Sequence, residues 1–192
     1  MEDIYVTEDL RRRLVLAGFS ELVEHGVGDF SLRRVAIAAG VSCAAPYRHF
    51  KDKDELILAV IRYVRENWDN LAIEVVVAYG QGSPECIAEM CKLAVRFWLG
   101  NGRFRSVFLL ANDGASPALL SEIEGFDVMI KKNIHTFTYL REINEEDESV
   151  ITATVLSLTY GTIFRVAAGF TDTELALANL KNKIISEFLL YP

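Results

Sequence analysis

Arg33, Arg34, Arg48, Lys51 and Lys53 all fall within one short stretch of this 192-residue chain, from Ser31 to Lys53, and Asp52 is the single acid among them. Cations gathered this way form one positive face, and neutralising phosphates with such groups is the main source of affinity for nucleic acids. The rest of the chain has the opposite character, with a net charge of −7 and dense acidic runs such as EINEEDE from Glu142 to Glu148. A negative total argues against nucleic acid, which normally leaves a basic footprint. Any affinity for DNA must therefore come from this local patch.

Other chemistries find little support. The three cysteines, Cys43, Cys86 and Cys91, are too few and too irregular for a disulfide framework, and no C-x-x-C or paired His/Cys spacing suggests zinc. His25, His49 and His135 have no companions at metal-ligand spacing, and no G-x-S-x-G, H-E-x-x-H or Walker sequence occurs, so no enzyme, metal or cofactor is expected. Cys43 stands beside the cations, but a thiol sensor needs a lowered pKa and a resolving partner, and neither is legible. The start, MEDIYVTEDLRRR, lacks the basic region and apolar core of a secretory signal. The stretch from Ser149 to Thr171 is interrupted by Arg165 and falls short of the roughly 18 to 20 apolar residues that span a bilayer. A buried helix is expected there, with no membrane partner and a cytoplasmic location.

The elements that must position the patch read as helices, because sustained period-two alternation is missing and the punctuation marks helix ends. Thr7 can cap a first helix to about His25, closed by Gly26 and Gly28, and Ser31 can cap a short second one. Asp52 with Glu55 has capping-box spacing and opens a long helix toward Tyr79. Ser83-Pro84 and Ser116-Pro117 are start signals, the first leading to Gly100 and the second to about Arg141, with a short helix from Phe104 to Ala111 between them. Asn144, followed by three acids, caps the next helix, and Thr171 with Glu174 supplies a last capping box for a helix to about Leu190. The chain is thus all-α with about nine helices, a three-helix head over residues 1–51 and a larger helical body over 52–192.

Within the head, Ala36 and Gly40 have the steric properties of a helix-turn-helix. Two helices crossing through a short turn need a small side chain at the crossing and a residue tolerant of positive φ in the turn. Val41 would plug the core between the helices and Ser42 would cap the second. The sequence GDFSLRRVAIAAGVSCAAPYRHFKDKDELILAVI resembles the DNA-binding head of the TetR/AcrR family of bacterial transcriptional regulators. The matching features are the Gly26 break, Ser31-x-Arg33, Ala36, Ala39-Gly40-Val41-Ser42, Tyr47-x-His49-Phe50, Lys53 and Leu56. The resemblance implies that Ser42, Cys43, Ala44 and Ala45 lie on a recognition helix in the major groove, that Tyr47, His49 and Lys53 hold phosphates, that Ser31 and Arg33 approach the backbone, and that Phe50 is core rather than a contact. Pro46 departs from the family pattern. It cannot donate to the Ser42 carbonyl and disfavours α conformation at Ala45, so the recognition helix either begins late or is distorted at its start. With few hydrogen-bonding groups on that surface, readout is expected to rest on Arg48, on apolar contacts to thymine methyls and on DNA shape. Arg48 is open to two roles, reading a guanine or anchoring a phosphate.

In the body, Trp68, Phe97, Trp98, Phe104, Phe108, Phe126, Met129, His135 and Tyr160 scatter through the middle helices. Most such residues are ordinary packing. The family resemblance implies in addition an effector pocket among these helices, suited to a small hydrophobic or aromatic molecule. Ala153, Ser157 and Gly161 repeat every four residues, a small stripe that lets another helix approach closely. The resemblance implies that this helix and the last one, with Ile184 and Phe188, pair with a second copy to make a homodimer. The expected function is a ligand-responsive regulator of double-stranded operator DNA, a repressor by preference. An all-α small-molecule carrier or enzyme, and a DNA-binding dimer without an effector, are the competing readings.

Overall fold

A computed structural model describes residues 2–100 and 116–191, with side chains from residue 9 onward. Among the described residues there is no strand. The helices are α1 (Glu2–His25), α2 (Leu32–Ala38), α3 (Pro46–His49), α4 (Lys53–Tyr79), α5 (Pro84–Gly100), α6 (Pro117–Glu124), a 3-10 turn (Gly125–Asp127), α7 (Val128–Leu140), α8 (Glu145–Ala167) and α9 (Thr173–Phe188). They form two compact units, residues 1–66 with 101–124, and residues 67–100 with 125–192. The first unit is thus larger than a 1–51 head, since it also takes in the first half of α4 and all of α6. The expected short helix from Phe104 to Ala111 lies outside the described residues.

In the first unit, Leu14, Leu22, Val35, Ala36, Phe50, Leu56, Val60 and Ile61 make the core. α1 begins before Thr7, at Glu2, so the expected cap is an interior helix position. Ser31 does cap α2, its Oγ accepting from the Arg34 amide. α2 ends in a Schellman turn. Gly40 takes φ +68°, its N–H donates to Ile37 O, and the Val41 N–H donates back to Ala36 O at 3.0 Å. An L side chain resists that backbone conformation, which is the physical content of glycine at this position. The Arg13 guanidinium, donating to Ala39 O, places a cation at the negative end of α2.

A buried carboxylate ties the head together. Glu21 on α1 accepts from the Ser31 amide at 2.9 Å and from Arg34 Nε at 2.9 Å, while Arg34 also donates to Asp29 O. One side chain thereby fixes the α1–α2 loop and the start of α2. Glu21→Ala removes the acceptor for both donors, and we expect the melting midpoint of the chain to fall by roughly 5 °C, read by thermal circular dichroism. An unchanged midpoint would show the network to be incidental.

The long helix α4 opens as expected, with the Glu55 amide on Asp52 Oδ1 at 2.9 Å. The Glu55 carboxylate reaches back to the Lys51 amide, one residue before the cap. α6 is held to α4 through Glu122, which accepts from Arg62 Nε at 2.6 Å and Arg65 Nε at 2.9 Å.

In the second unit, α5 packs against α7, α8 and α9. Ile87, Met90, Cys91, Val95, Ile134, Phe137, Ile151, Val155, Leu177, Ile184 and Phe188 fill its interior. Start signals at Ser83, Ser116 and Asn144 act as caps, each side chain accepting a backbone N–H three residues on. Two expected boundaries move. The helix from Pro117 does not continue to Arg141 but breaks into a 3-10 turn at Gly125, where both Gly125 and Phe126 are buried. α9 is capped by Asp172 rather than Thr171, with the Leu175 amide on Asp172 Oδ1 at 3.0 Å.

α8 is long and apolar enough to cross a membrane by length and composition, with 22% of its most apolar window buried. The expectation of a buried helix is therefore corrected. Only Ile151, Val155, Thr159 and Ile163, at three- or four-residue spacing, are buried, and the opposite face stays open.

Acid should weaken both units. Burial pushes the Glu122 carboxyl up, but Arg62 and Arg65 outweigh it and hold the group below the ordinary 4.5. Burial likewise raises Glu89, and Lys181 and Lys92 more than reverse it. The Thr138 hydroxyl, helped by His135, holds Glu148 down. Carboxylates depressed in the folded state contribute stability that is complete above the ordinary value and is lost as pH falls through the depressed one. All three are partly solvated, so each effect is modest. An acid titration followed by circular dichroism should show stability falling below pH 4.5, with a shallower slope in Glu122→Gln. An identical slope in that variant would remove Glu122 from the account.

Candidate nucleic-acid interface and body cavity

Pro46 decides the local structure of the recognition segment. With no N–H to give, it leaves the Ser42 carbonyl without its i+4 donor, and the Ala45 amide bonds to that carbonyl instead at 2.9 Å. Residues 42–45 therefore form a turn, and α3 begins at Pro46, the first helical position that proline tolerates. Of the two arrangements that the sequence leaves open, the helix begins late. Ser42 does not cap it, as the N-cap is Ala45 without a side-chain bond.

Ser42, Cys43 and Ala44 are exposed on the turn, whereas Ala45 is only 8% exposed and packs inward. The placement of Ser42 to Ala45 on the recognition helix is corrected to this turn, and Ala45 is core. Tyr47, 61% exposed, and Arg48 project from α3, His49 is half-buried, and Phe50 is core as expected. Arg33 is exposed on α2 and Ser31 is half-buried beside it. Lys53 is half-buried, its ammonium donating to Val27 O at 3.0 Å. That bond uses one of three donors and leaves the group able to reach a phosphate.

Sequence reasoning passed over three features of this surface. Arg34, counted among the cations, is spent on Glu21, and the signal was an acid in α1 with no exposed role. Ile37 is exposed on α2, where helical periodicity alone offers no reason for an apolar side chain. Arg13 binds the end of α2 from a distance in sequence that no local motif reveals.

In the second unit, Trp68, Trp98 and Phe126 are buried and Phe97 half-buried, with ring centroids 4.9 Å apart for Trp98 and Phe126 and 5.5 Å for Trp68 and Phe97. Trp68, Trp98 and Phe126, with Asp127, Thr159 and Tyr160, border a cavity of about 10 Å³, room for about one water-sized group, and Phe97 stands behind this lining. Tyr160 donates to Asp127 Oδ1 at 2.6 Å, and burial, followed by that carboxylate, pushes its hydroxyl well above the ordinary range. Asp127 was not anticipated, since it reads as one more acid in an acidic body. His135 does not belong to the cavity. It is exposed and sits 3.0 Å from Glu148, so its assignment to the pocket is corrected. Met129 is half-buried away from the cavity lining, and Phe104 and Phe108 lie outside the described residues.

Burial pushes the Cys91 thiol up to about 12 and raises Cys86 as well, which makes both inert, and Cys43 is exposed. No metal-binding cluster occurs among the described residues.

Ala153, Ser157 and Gly161 are all exposed on α8, and Val150 and Phe164 extend the same face. Among the described residues, nothing beyond its own helix backbone and chain neighbours lies within 4 Å of where a Gly161 side chain would begin. Ile184 and Phe188 are 0% and 2% exposed, and Phe188 meets Phe137 edge-on at 4.6 Å. Their assignment to an interface is corrected: α9 has two apolar faces, and these residues occupy the one covered by their own chain. Leu175 and Leu189 are exposed on the other.

Residues 14–60 match the sequence model of the bacterial regulatory proteins, tetR family. Several solved structures share the fold of the whole chain. A transcriptional regulator from Rhodococcus sp. RHA1 is 21% identical with a TM-score of 0.71, over 93% of this chain and 96% of that one. A TetR transcription regulator from Haloarcula marismortui is 21% identical with a TM-score of 0.67, over 94% and 96%. RolR, solved in complex with resorcinol, is 15% identical with a TM-score of 0.68, over 95% and 89%. The Schellman turn at Gly40 and the short helix behind it lie within the segment that matches the tetR family of bacterial regulatory proteins, and the helical body shares the fold of these solved structures.

Proposed function

We propose that this chain is a ligand-responsive regulator that binds double-stranded operator DNA as a homodimer, represses, and releases the DNA when a small hydrophobic or aromatic effector enters the body. Residues 1–51 serve as the DNA-binding head and 52–192 as the effector-binding and dimerisation region, in the cytoplasm. The observation that carries the reading is the head itself: a positive-φ turn at Gly40 followed by an exposed segment bearing Tyr47 and Arg48 beside the exposed Arg33. In a chain of net charge −7 such a patch has little other reason to exist. Tyr47, His49, Lys53, Arg33 and Ser31 are assigned to phosphates, and Ser42, Cys43, Ala44 and Arg48 to the groove. The effector acts by binding one of two conformations better than the other, the only way in which it can shift an equilibrium.

Support for an effector comes from the aromatic cavity and from the structural likeness to RolR, whose complex holds the small aromatic resorcinol. The small size of the cavity favours a second reading, a DNA-binding dimer with no effector. Fluorescence anisotropy with selected DNA separates the two. The regulator should bind with a steep inverse dependence on salt and release DNA on addition of a small aromatic compound. Binding insensitive to every such compound would leave the second reading, and no binding at low salt would remove both.

A further inference from the structure

Trp68 carries a buried hydrogen-bond donor that nothing among the described residues satisfies. The side chain is 1% exposed, and its Nε1–H finds no acceptor among the described residues. Native structures rarely leave such a group unpaired, and where one persists it calls for a reason. Trp68 borders the cavity already described, together with Trp98, Phe126, Asp127 and Tyr160. A buried, unsatisfied donor on a side chain that lines an aromatic space is complementary to an acceptor that a ligand brings as the side chains part.

We propose that the effector is a small neutral aromatic molecule carrying an oxygen acceptor, and that Trp68 Nε1–H donates to that oxygen. Three observations restrict the class. The surrounding rings offer flat apolar faces suited to an aromatic ring. The Asp127 carboxylate borders the same space and repels an anion, so the oxygen belongs to a neutral phenol or carbonyl rather than a carboxylate. The present volume of about 10 Å³ admits a hydroxyl or carbonyl but no ring, so binding must part the side chains. A ligand that fits only the parted arrangement has the differential affinity that a switch requires. The inference rests on the effector-responsive reading and adds its chemical class and anchor.

Phenol and toluene, alike in shape and differing in the oxygen, are the probes, titrated by calorimetry into the full-length chain and into Trp68→Phe, which keeps a ring and loses the donor. Phenol should bind roughly 5- to 10-fold more tightly than toluene to the unaltered chain, and the preference should vanish in Trp68→Phe. A measurement on the unaltered chain covers the case in which that variant fails to fold. The chain has two tryptophans, so its 15N-edited proton spectrum holds two indole N–H signals. Trp98→Phe assigns them, and phenol but not toluene should move the Trp68 signal downfield. Equal affinities, or a phenol preference that survives in Trp68→Phe, overturn the anchor while the effector reading stands. No binding of either probe at millimolar concentration overturns both.

Discussion

Gly161→Trp should turn the chain from a dimer into a monomer at micromolar concentration and abolish tight binding to operator DNA, with no loss of thermal stability in the isolated chain. Within one chain the first carbon of the new side chain points into open space, with no described atom outside its own helix backbone and chain neighbours within 4 Å, and replacing glycine in a helix interior improves helix propensity. Against a second chain the effect is the reverse. Ala153, Ser157 and Gly161 are small, exposed residues along one face of α8, which Val150 and Phe164 extend, and a helix packed closely on that face would be held off by an indole. Two heads joined in a dimer bind two half-sites at once, so losing the dimer costs the gain from effective concentration, about 100-fold or more in affinity. Sedimentation and anisotropy on the same samples check both halves. A Gly161→Trp protein that remains dimeric would move the interface off this face.

Arg48→Ala should lower operator affinity by roughly 10- to 100-fold. Tyr47 and Arg48 are the exposed side chains of a helix that Pro46 shortens to Pro46–His49. With Ser42, Cys43 and Ala44 on a turn and Ala45 buried, few groups on this surface can hydrogen-bond to bases, so the guanidinium is expected to carry an unusual share of the proposed interaction. Binding to a panel of single-base variants tells which share. A loss confined to one base pair marks a bidentate contact to guanine, and a uniform loss with a shallower salt slope marks a phosphate contact. An affinity unchanged by Arg48→Ala would take Arg48 off the interface.

The helix ends were largely legible in the sequence because their chemistry is local. Ser83 and Ser116 before proline, Asn144 before acids, and Asp52 three residues before Glu55 each satisfy backbone donors within one turn. Where the reading moved, the deciding contact was distant or a neighbour competed. Asp172 outcompetes Thr171 as a cap by one residue, and the break at Gly125 accompanies the burial of Phe126 against Trp98, which periodicity does not encode. Pro46 is the instructive middle case. Its lost donor was readable as a disturbance, but only the structure shows the Ala45 amide taking the vacated carbonyl and the helix starting late.

The site was legible to a lesser degree. Periodicity reports that Ile184 and Phe188 lie on an apolar face, but not whether their own chain or another covers it. His135 sits on α7 close in sequence to buried aromatics, yet its ring faces Glu148. The Glu21–Arg34 pair joins two helices across an intervening loop, so a count of cations overstated the charge free to meet DNA. The unpaired Trp68 donor could not have been foreseen, because being unpaired is a property of the surroundings and not of the residue.

The most direct test of the central claim is selection of bound sequences from random double-stranded DNA by the purified full-length chain, read for symmetry. A dimer with two reading heads predicts enrichment of an inverted repeat whose half-sites are related by a two-fold axis, with affinity falling steeply as salt rises. A pool that stays random through successive rounds would contradict the assignment of this chain's head to specific DNA binding.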